Sequence, residues 1–192
     1  MEDNLAYQEE IREELIDGTI VAMSPRPIFN HNRISGNLYA LFWNYLRGHT
    51  CTPIMDGTDL HLTKKDRFVP DMMVVCDRGK IQSDGVHGAP DLVVEVLSPS
   101  TAKRDRGYKK DTYERCGVRE YWLVSPAEKS IEVYRLEEQS FVLFDVYHIY
   151  PDWMLEQMTE AERAEVVTKF KCSLYDDFEL ALEDIFNGML PQ

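Results

Sequence analysis

The stretch GAPDLVVEVLSPSTAKRDRGYKKDTYERCG, residues 88–117, decides the fold. APDLVVEVLS is rich in β-branched residues, is entered through Pro90-Asp91 and is bounded by turn residues, which predicts a strand. Apolar residues fall on both of its faces, so the strand is expected to be largely buried. Ser100 or Thr101 then caps a helix running to about Cys116, with Gly117 at its end and Lys109, Lys110 and Arg115 toward its C-terminal half.

Upstream, RFVPDMMVVCD reads as a second buried strand with the same Pro-Asp entry, at Pro70-Asp71. REELIDGTIVAM places Asp17-Gly18 between two short apolar runs, the signal of a tight hairpin. After SPRP, the residues Ile34, Leu38, Leu41, Phe42, Tyr45 and Leu46 recur at helical spacing, with Asn30 as N-cap and Gly48 as terminator. Downstream, VREYWLVSP, SIEVYRL and FVLFDVYHIY read as further strands. MTEAERAEVVTKF reads as a short helix or a lid-like excursion, and DDFELALEDIFNGM has helical spacing ending near Gly188. This order predicts the α/β (α+β) class, a mixed sheet flanked by helices and preceded by an N-terminal hairpin.

A length of 192 residues fits one domain, and the 44% hydrophobic content supplies a sizeable core. The expectation is a single domain over 1–192, with its core at about 10–136 and an acidic C-terminal extension at about 150–192. No apolar run is long enough for a membrane span, and the opening MEDNLAYQEE is acidic rather than a basic leader, so a cytoplasmic protein is expected. Cys51, Cys76, Cys116 and Cys172 are scattered without a CxxC pair and read as reduced thiols. The net charge of −13 argues against indiscriminate binding to nucleic acid. Residues 64–119 nevertheless hold 12 Lys and Arg against 9 Asp and Glu, whereas 120–192 hold 5 against 16. The middle third therefore forms either a local patch for an anionic substrate or a set of solvated helix faces.

Alternation along the strand puts Asp91, Val93, Glu95 and Leu97 on one face and Leu92, Val94 and Val96 on the other. A carboxylate in a buried strand costs several kcal/mol unless a cation, a donor or a metal compensates it, and Glu95 needs such a partner. Asp91 either supports Glu95 or hydrogen-bonds a turn. If the two strands pair side by side, Asp71 and Glu95 meet at one edge of the sheet. Hard carboxylate oxygens of this kind suit Mg²⁺, which polarises a phosphoryl oxygen and lowers the pKa of bound water. A lysine would complete such a site by stabilising the charge of the transition state, and Lys103, Lys109 and Lys110 on the following helix are the nearest candidates. For any one of them, solvent exposure is the ordinary alternative.

VPDMMVV, PDLVVEVLSPST, the basic helix and GVREYWLVSP resemble the Uma-type restriction endonuclease family, a branch of the PD-(D/E)XK nuclease superfamily. EELIDGTIVAMSP and His31 extend the similarity, which covers about 10–136. The resemblance implies a restriction endonuclease-like mixed sheet and a Mg²⁺ (or Mn²⁺) site held by Asp71 and Glu95. Leu97 occupies the usual lysine position of the acid-X-Lys triplet, and the family pattern instead matches Lys109. Asp91 is implied as a further catalytic carboxylate and Glu14 as a supporting acid, while His31 either touches the site or is a satisfied core histidine. The implied function is Mg²⁺-dependent hydrolysis of nucleic-acid phosphodiesters, with DNA preferred to RNA. Two alternatives remain: a catalytically weak or inactive binding module with a protein partner, suggested by the acidic tail and Leu97, and a hydrolase for another phosphate ester. Related nucleases often form dimers, and Trp153 and Tyr150 are candidates for a homodimer interface.

Overall fold

The computed structural model describes residues 12–23 and 28–191; the acidic opening and the SPRP segment lie outside the described residues. In chain order the first strands are β1 (Glu13–Ile16), β2 (Thr19–Ala22), β3 (Thr52–Met55), β4 (Leu60–Thr63), β5 (Asp66–Phe68), β6 (Met72–Val75) and β7 (Ile81–Gln82). They are followed by β8 (Gly85–His87), β9 (Leu92–Val96), β10 (Glu120–Ser125), β11 (Ser130–Glu137), β12 (Ser140–His148), β13 (Lys169–Lys171) and β14 (Glu179–Ala181). The α-helices are α1 (Phe29–Tyr45), α2 (Ala102–Arg104), α3 (Lys110–Cys116), α4 (Asp152–Gln157), α5 (Glu160–Ala164) and α6 (Leu182–Ile185), with a π turn at Asp105–Lys109 joining α2 to α3.

Two six-stranded sheets carry the fold, ordered β12-β11-β10-β9-β6-β3 and β2-β1-β5-β4-β8-β7, beside a small β13-β14 ribbon. The main sheet is mixed. β9 and β10 run parallel because the α2–α3 helix returns the chain between them, while β6 pairs antiparallel with β9. The RFVPDMMVVCD run is broken at Val69-Pro70, so that β5 joins the second sheet and β6 the first. At the hairpin Asp17 and Gly18 both take positive φ, 48° and 76°, as a tight two-residue turn demands.

Strand alternation sorts β9 between two cores. Leu92, Val94 and Val96 pack with Ile34, Leu38 and Phe42 of α1, and Val93 and Leu97 with Tyr113, Tyr121 and Phe68 on the opposite side. Phe170, Cys172, Phe178, Leu180, Leu182 and Ile185 belong to the α1 side, so much of the acidic C-terminal segment is core rather than appendage. Phe178, Leu180 and Leu182 are buried at period two, and the DDFELALEDIFNGM run accordingly forms β14 before the short α6 instead of one helix. MTEAERAEVVTKF contains the short helix α5, capped by a reciprocal Thr159–Glu162 box.

Asn30 does not cap α1, whose N-cap position is Ile28. Its side-chain amide donates to the Leu190 carbonyl at 3.0 Å and accepts from the Leu190 amide at 2.8 Å, fastening the C-terminal segment to the helix. The reduced-thiol expectation also needs correction. Cys51 and Cys76 flank the paired β3 and β6 and are joined in a disulfide, while Cys116 and Cys172 are free. Among the described residues no helix is long and apolar enough to cross a membrane.

Candidate active site

The register of β6 against β9 builds the site. Met72 faces Val94 and Met73 faces Val93, so one step further Asp71, at the head of β6, comes beside Glu95 near the end of β9. Asp71 Oδ2 accepts the Val96 amide at 2.6 Å and lies 3.3 Å from His31 Nε2, near the start of α1. Glu95 points to the face covered by the α2–α3 helix. There Lys109 Nζ sits 3.0 Å from Glu95 Oε1, 2.8 Å from Glu14 Oε1 of β1 and 3.7 Å from Asp105 Oδ1. Tyr113, one turn beyond Lys109, donates its hydroxyl to Glu95 Oε1 at 2.7 Å, and the Val69 amide donates to Glu14 Oε1 at 3.0 Å.

Local sequence explains the inward-facing lysine. The π turn widens the helix so that Asp105 and Lys109 both face the sheet, and Gly107 within it carries non-helical dihedrals. The Tyr121 hydroxyl of β10 ties down the Asp105 carbonyl at 2.9 Å, and the Lys109 ammonium stands 5.6 Å from the centre of the Phe68 ring. Lys109, Glu95 and Glu14 have side chains exposed by 5%, 5% and 3%, whereas Asp71 and His31 reach 15% and 13%. Water therefore has its access at the Asp71 side.

The electrostatics are unbalanced. One ammonium faces three buried carboxylates, with Asp71 adjoining. Burial alone would lower the Lys109 pKa, but Glu95, Glu14 and Asp105 together raise it, so this amine stays charged. Burial pushes the Glu95 carboxyl well above the ordinary range; Lys109 opposes, while Asp105, Asp71 and Glu14 add to the rise. Burial likewise raises Asp105 against the pull of Lys109. For His31 burial acts downward, yet the Asp71 carboxylate prevails and the imidazole pKa rises. Burial, then Glu95, holds the Tyr113 hydroxyl well up, so it remains a donor.

Of the residues singled out in the sequence, Asp71, Glu95, Lys109, Glu14 and His31 are brought together and Asp91 is not. Because β6 and β9 are antiparallel, their Pro-Asp entries lie at opposite ends of the pair: Asp91 accepts the Cys76 amide at 2.8 Å and pairs with Arg119 at 3.4 Å. Among the other lysine candidates, Lys110 lies over the Tyr134 ring and Lys103 is exposed. Asp105, a partner of Lys109, and Tyr113, a partner of Glu95, join the site unforeseen; their positions four residues either side of Lys109 were the available signal.

The Uma2 family, described as "Putative restriction endonuclease", matches residues 1–166. The chain belongs to the Uma2 family. "Uncharacterized protein slr1290" of Synechocystis sp. is 32% identical over 169 residues, covering 86% of this chain and 83% of that one. A crystal structure from Anabaena variabilis, titled a "putative nuclease belonging to DUF820", superposes with a TM-score of 0.68 at 21% identity, over 92% of this chain and 90% of the other. That likeness establishes a shared fold, a mixed sheet with flanking helices. Within the Uma2 fold the Lys109 cluster sits where the β6–β9 pair meets the helix that follows β9.

The donor set suits a hard divalent cation. Asp71, Glu95, Glu14 and Asp105 offer carboxyl oxygens, several carboxyl groups stand against the single ammonium of Lys109, and buried Asp105 Oδ1 has no hydrogen-bond partner.

Proposed function

We propose that this Uma2 protein is a metal-dependent nuclease, hydrolysing phosphodiester bonds of nucleic acid with Mg²⁺ (or Mn²⁺), and that DNA is the preferred polymer. The observation carrying this reading is the buried excess of carboxylate around one lysine, placed beside Asp71 at the water-accessible end of the β6–β9 pair. The family description and the description of the Anabaena structure as a "putative nuclease" support the nuclease class.

Asp71 and Glu95 would hold the cation, with Glu14 and Asp105 adding negative charge nearby. Bound there, a divalent ion supplies Lewis-acid polarisation of a phosphoryl oxygen and a water of lowered pKa. The remaining steps belong to the chain. Lys109, kept charged by its three carboxylates, fixes Glu95 and offers positive charge to the phosphate oxygens as they gain charge in the transition state. The Tyr113 hydroxyl holds Oε1 of Glu95 in one orientation, and His31 does the same for Oδ2 of Asp71. Lys103 and Arg104, at the head of the same helix, provide phosphate contacts that an otherwise acidic protein needs.

The test is a cleavage panel of single-stranded DNA, duplex DNA and RNA with Mg²⁺ or Mn²⁺, run on wild type, Asp71→Ala and Glu95→Ala. The expected outcome is metal-dependent cutting by wild type and none by either variant, with folding verified by circular dichroism. Equal cutting by all three proteins would reject the assignment.

A further inference from the structure

A second constellation lies on the other sheet, away from the β6–β9 pair. β4 and β8 run parallel with His61 opposite His87, which stacks the two imidazoles with centroids 4.4 Å apart and planes 8° from parallel. The β7–β8 turn then delivers Asp84 to the same spot. His87 Nε2 lies 3.0 Å from Asp84 Oδ1, and His61 Nε2 lies 3.3 Å from the Asp84 carbonyl oxygen. Ligand atoms of all three residues fall within 4.8 Å of one another.

The turn is held in this shape by its backbone. Gly85 has φ +139°, and a Cβ there would come 2.3 Å from the Asp59 carbonyl oxygen, so no other residue fits without moving the strand. The Val86 amide bonds that same Asp59 oxygen at 2.8 Å and the Gly88 amide bonds the His61 carbonyl at 2.8 Å, which clamps β8 and the turn against β4. Among the described residues Asp84 forms no ion pair with a lysine or arginine, and its salt-bridge partner is His87.

We infer that His61, Asp84 and His87 form a binding site for a divalent transition ion of the Zn²⁺ class. Two imidazoles with one carboxylate select such an ion over Mg²⁺ or Ca²⁺, which prefer oxygen-only shells. Zinc bonds of about 2.0–2.2 Å around a tetrahedral centre put ligand atoms roughly 3.4 Å apart, a spacing the three groups, now within 4.8 Å of one another, reach when the two stacked rings turn about their side-chain bonds to aim a nitrogen each at the ion. To bind through Nε2 each ring must carry its one proton on Nδ1, so a proton held at His87 Nε2 against Asp84 is released to solvent as the metal takes its place. Three protein ligands leave a position for water, and the ion cross-links β4 to the β7–β8 hairpin. This site differs in ligand chemistry and in strands from the carboxylate cluster around Lys109, so the two are separable by experiment.

The experiment is calorimetric titration of Zn²⁺ into the chelator-stripped full chain, with long-range ¹H–¹⁵N spectra of its imidazoles recorded in parallel. Wild type is expected to take up one equivalent at this site with shifts of the His61 and His87 resonances. His61→Ala and His87→Ala should each weaken that uptake at least tenfold, and Glu95→Gln should leave it intact. Wild-type spectra in which neither imidazole responds to one equivalent of Zn²⁺ would overturn the proposal, even if the alanine variants failed to fold. Uptake that survives in both histidine variants and disappears in Glu95→Gln would overturn it as well.

Discussion

At the residue scale Lys109 holds the site together, because it is the cation toward which Glu14, Glu95 and Asp105 all turn. Removing one partner of a buried ion pair leaves uncompensated charge, at a cost of about 3–5 kcal/mol. Lys109→Met should therefore destabilise the metal-free protein by that amount in urea unfolding, and adding Mg²⁺ should recover part of it. A loss under about 1 kcal/mol would mean that the three carboxylates are not charged together. The pH dependence has a definite sign. Glu95 is raised in the folded state, so its stabilising contribution is fully present below about pH 4.5, its ordinary value, and is lost as the pH rises through the raised one. His31, also raised, contributes in the same sense above about pH 6.5. Wild type in EDTA should thus lose stability progressively across this range, and Glu95→Gln should flatten the lower part of the curve. Denaturation at a series of pH values checks both.

At the element scale, the difference between what the sequence reveals and what it hides has geometric causes. Alternation along β9 correctly separated Glu95 and Leu97 from Val94 and Val96, since a strand's period is two whatever it pairs with. Strand direction is not written in a Pro-Asp dipeptide, and for that reason Asp71 joined Glu95 while Asp91 did not. The inward turn of Lys109 and Asp105 depends on a π insertion that no 3.6-residue periodicity displays. Asn30 shows the same limit. Its place before an apolar run reads as a cap, but it serves a segment 160 residues away. Two hydrogen bonds to Leu190 are lost in Asn30→Ala, and at about 1 kcal/mol each the variant should unfold at lower urea by roughly 2 kcal/mol. Amide exchange should accelerate at Leu190 without changing in β9 or β10; unchanged exchange at Leu190 would show that the tail is held by other contacts.

At the scale of the whole molecule, charge decides how nucleic acid can be met. A protein of net charge −13 repels a polyanion at long range, so association must rest on a short basic segment and must be strongly weakened by salt. Lys103 is exposed and Arg104 half-buried at the head of the helix that delivers Lys109, whereas Arg106 is already paired with Glu132 at 2.7 Å. Lys103 and Arg104 are thus better placed than Arg106 to exchange counterions with phosphates. Each phosphate contact lowers log K by about 0.9 per decade of salt on duplex DNA. Lys103→Ala and Arg104→Ala should each reduce that slope by about 0.9 and weaken binding to every sequence alike, while Arg106→Ala changes it less. Fluorescence anisotropy of a labelled duplex between 50 and 200 mM salt, in Ca²⁺ to hold back cleavage, measures the three slopes. Equal slopes in wild type and all three variants would move the nucleic-acid contact away from this helix and leave the Lys109 cluster without a route for a phosphate to reach it.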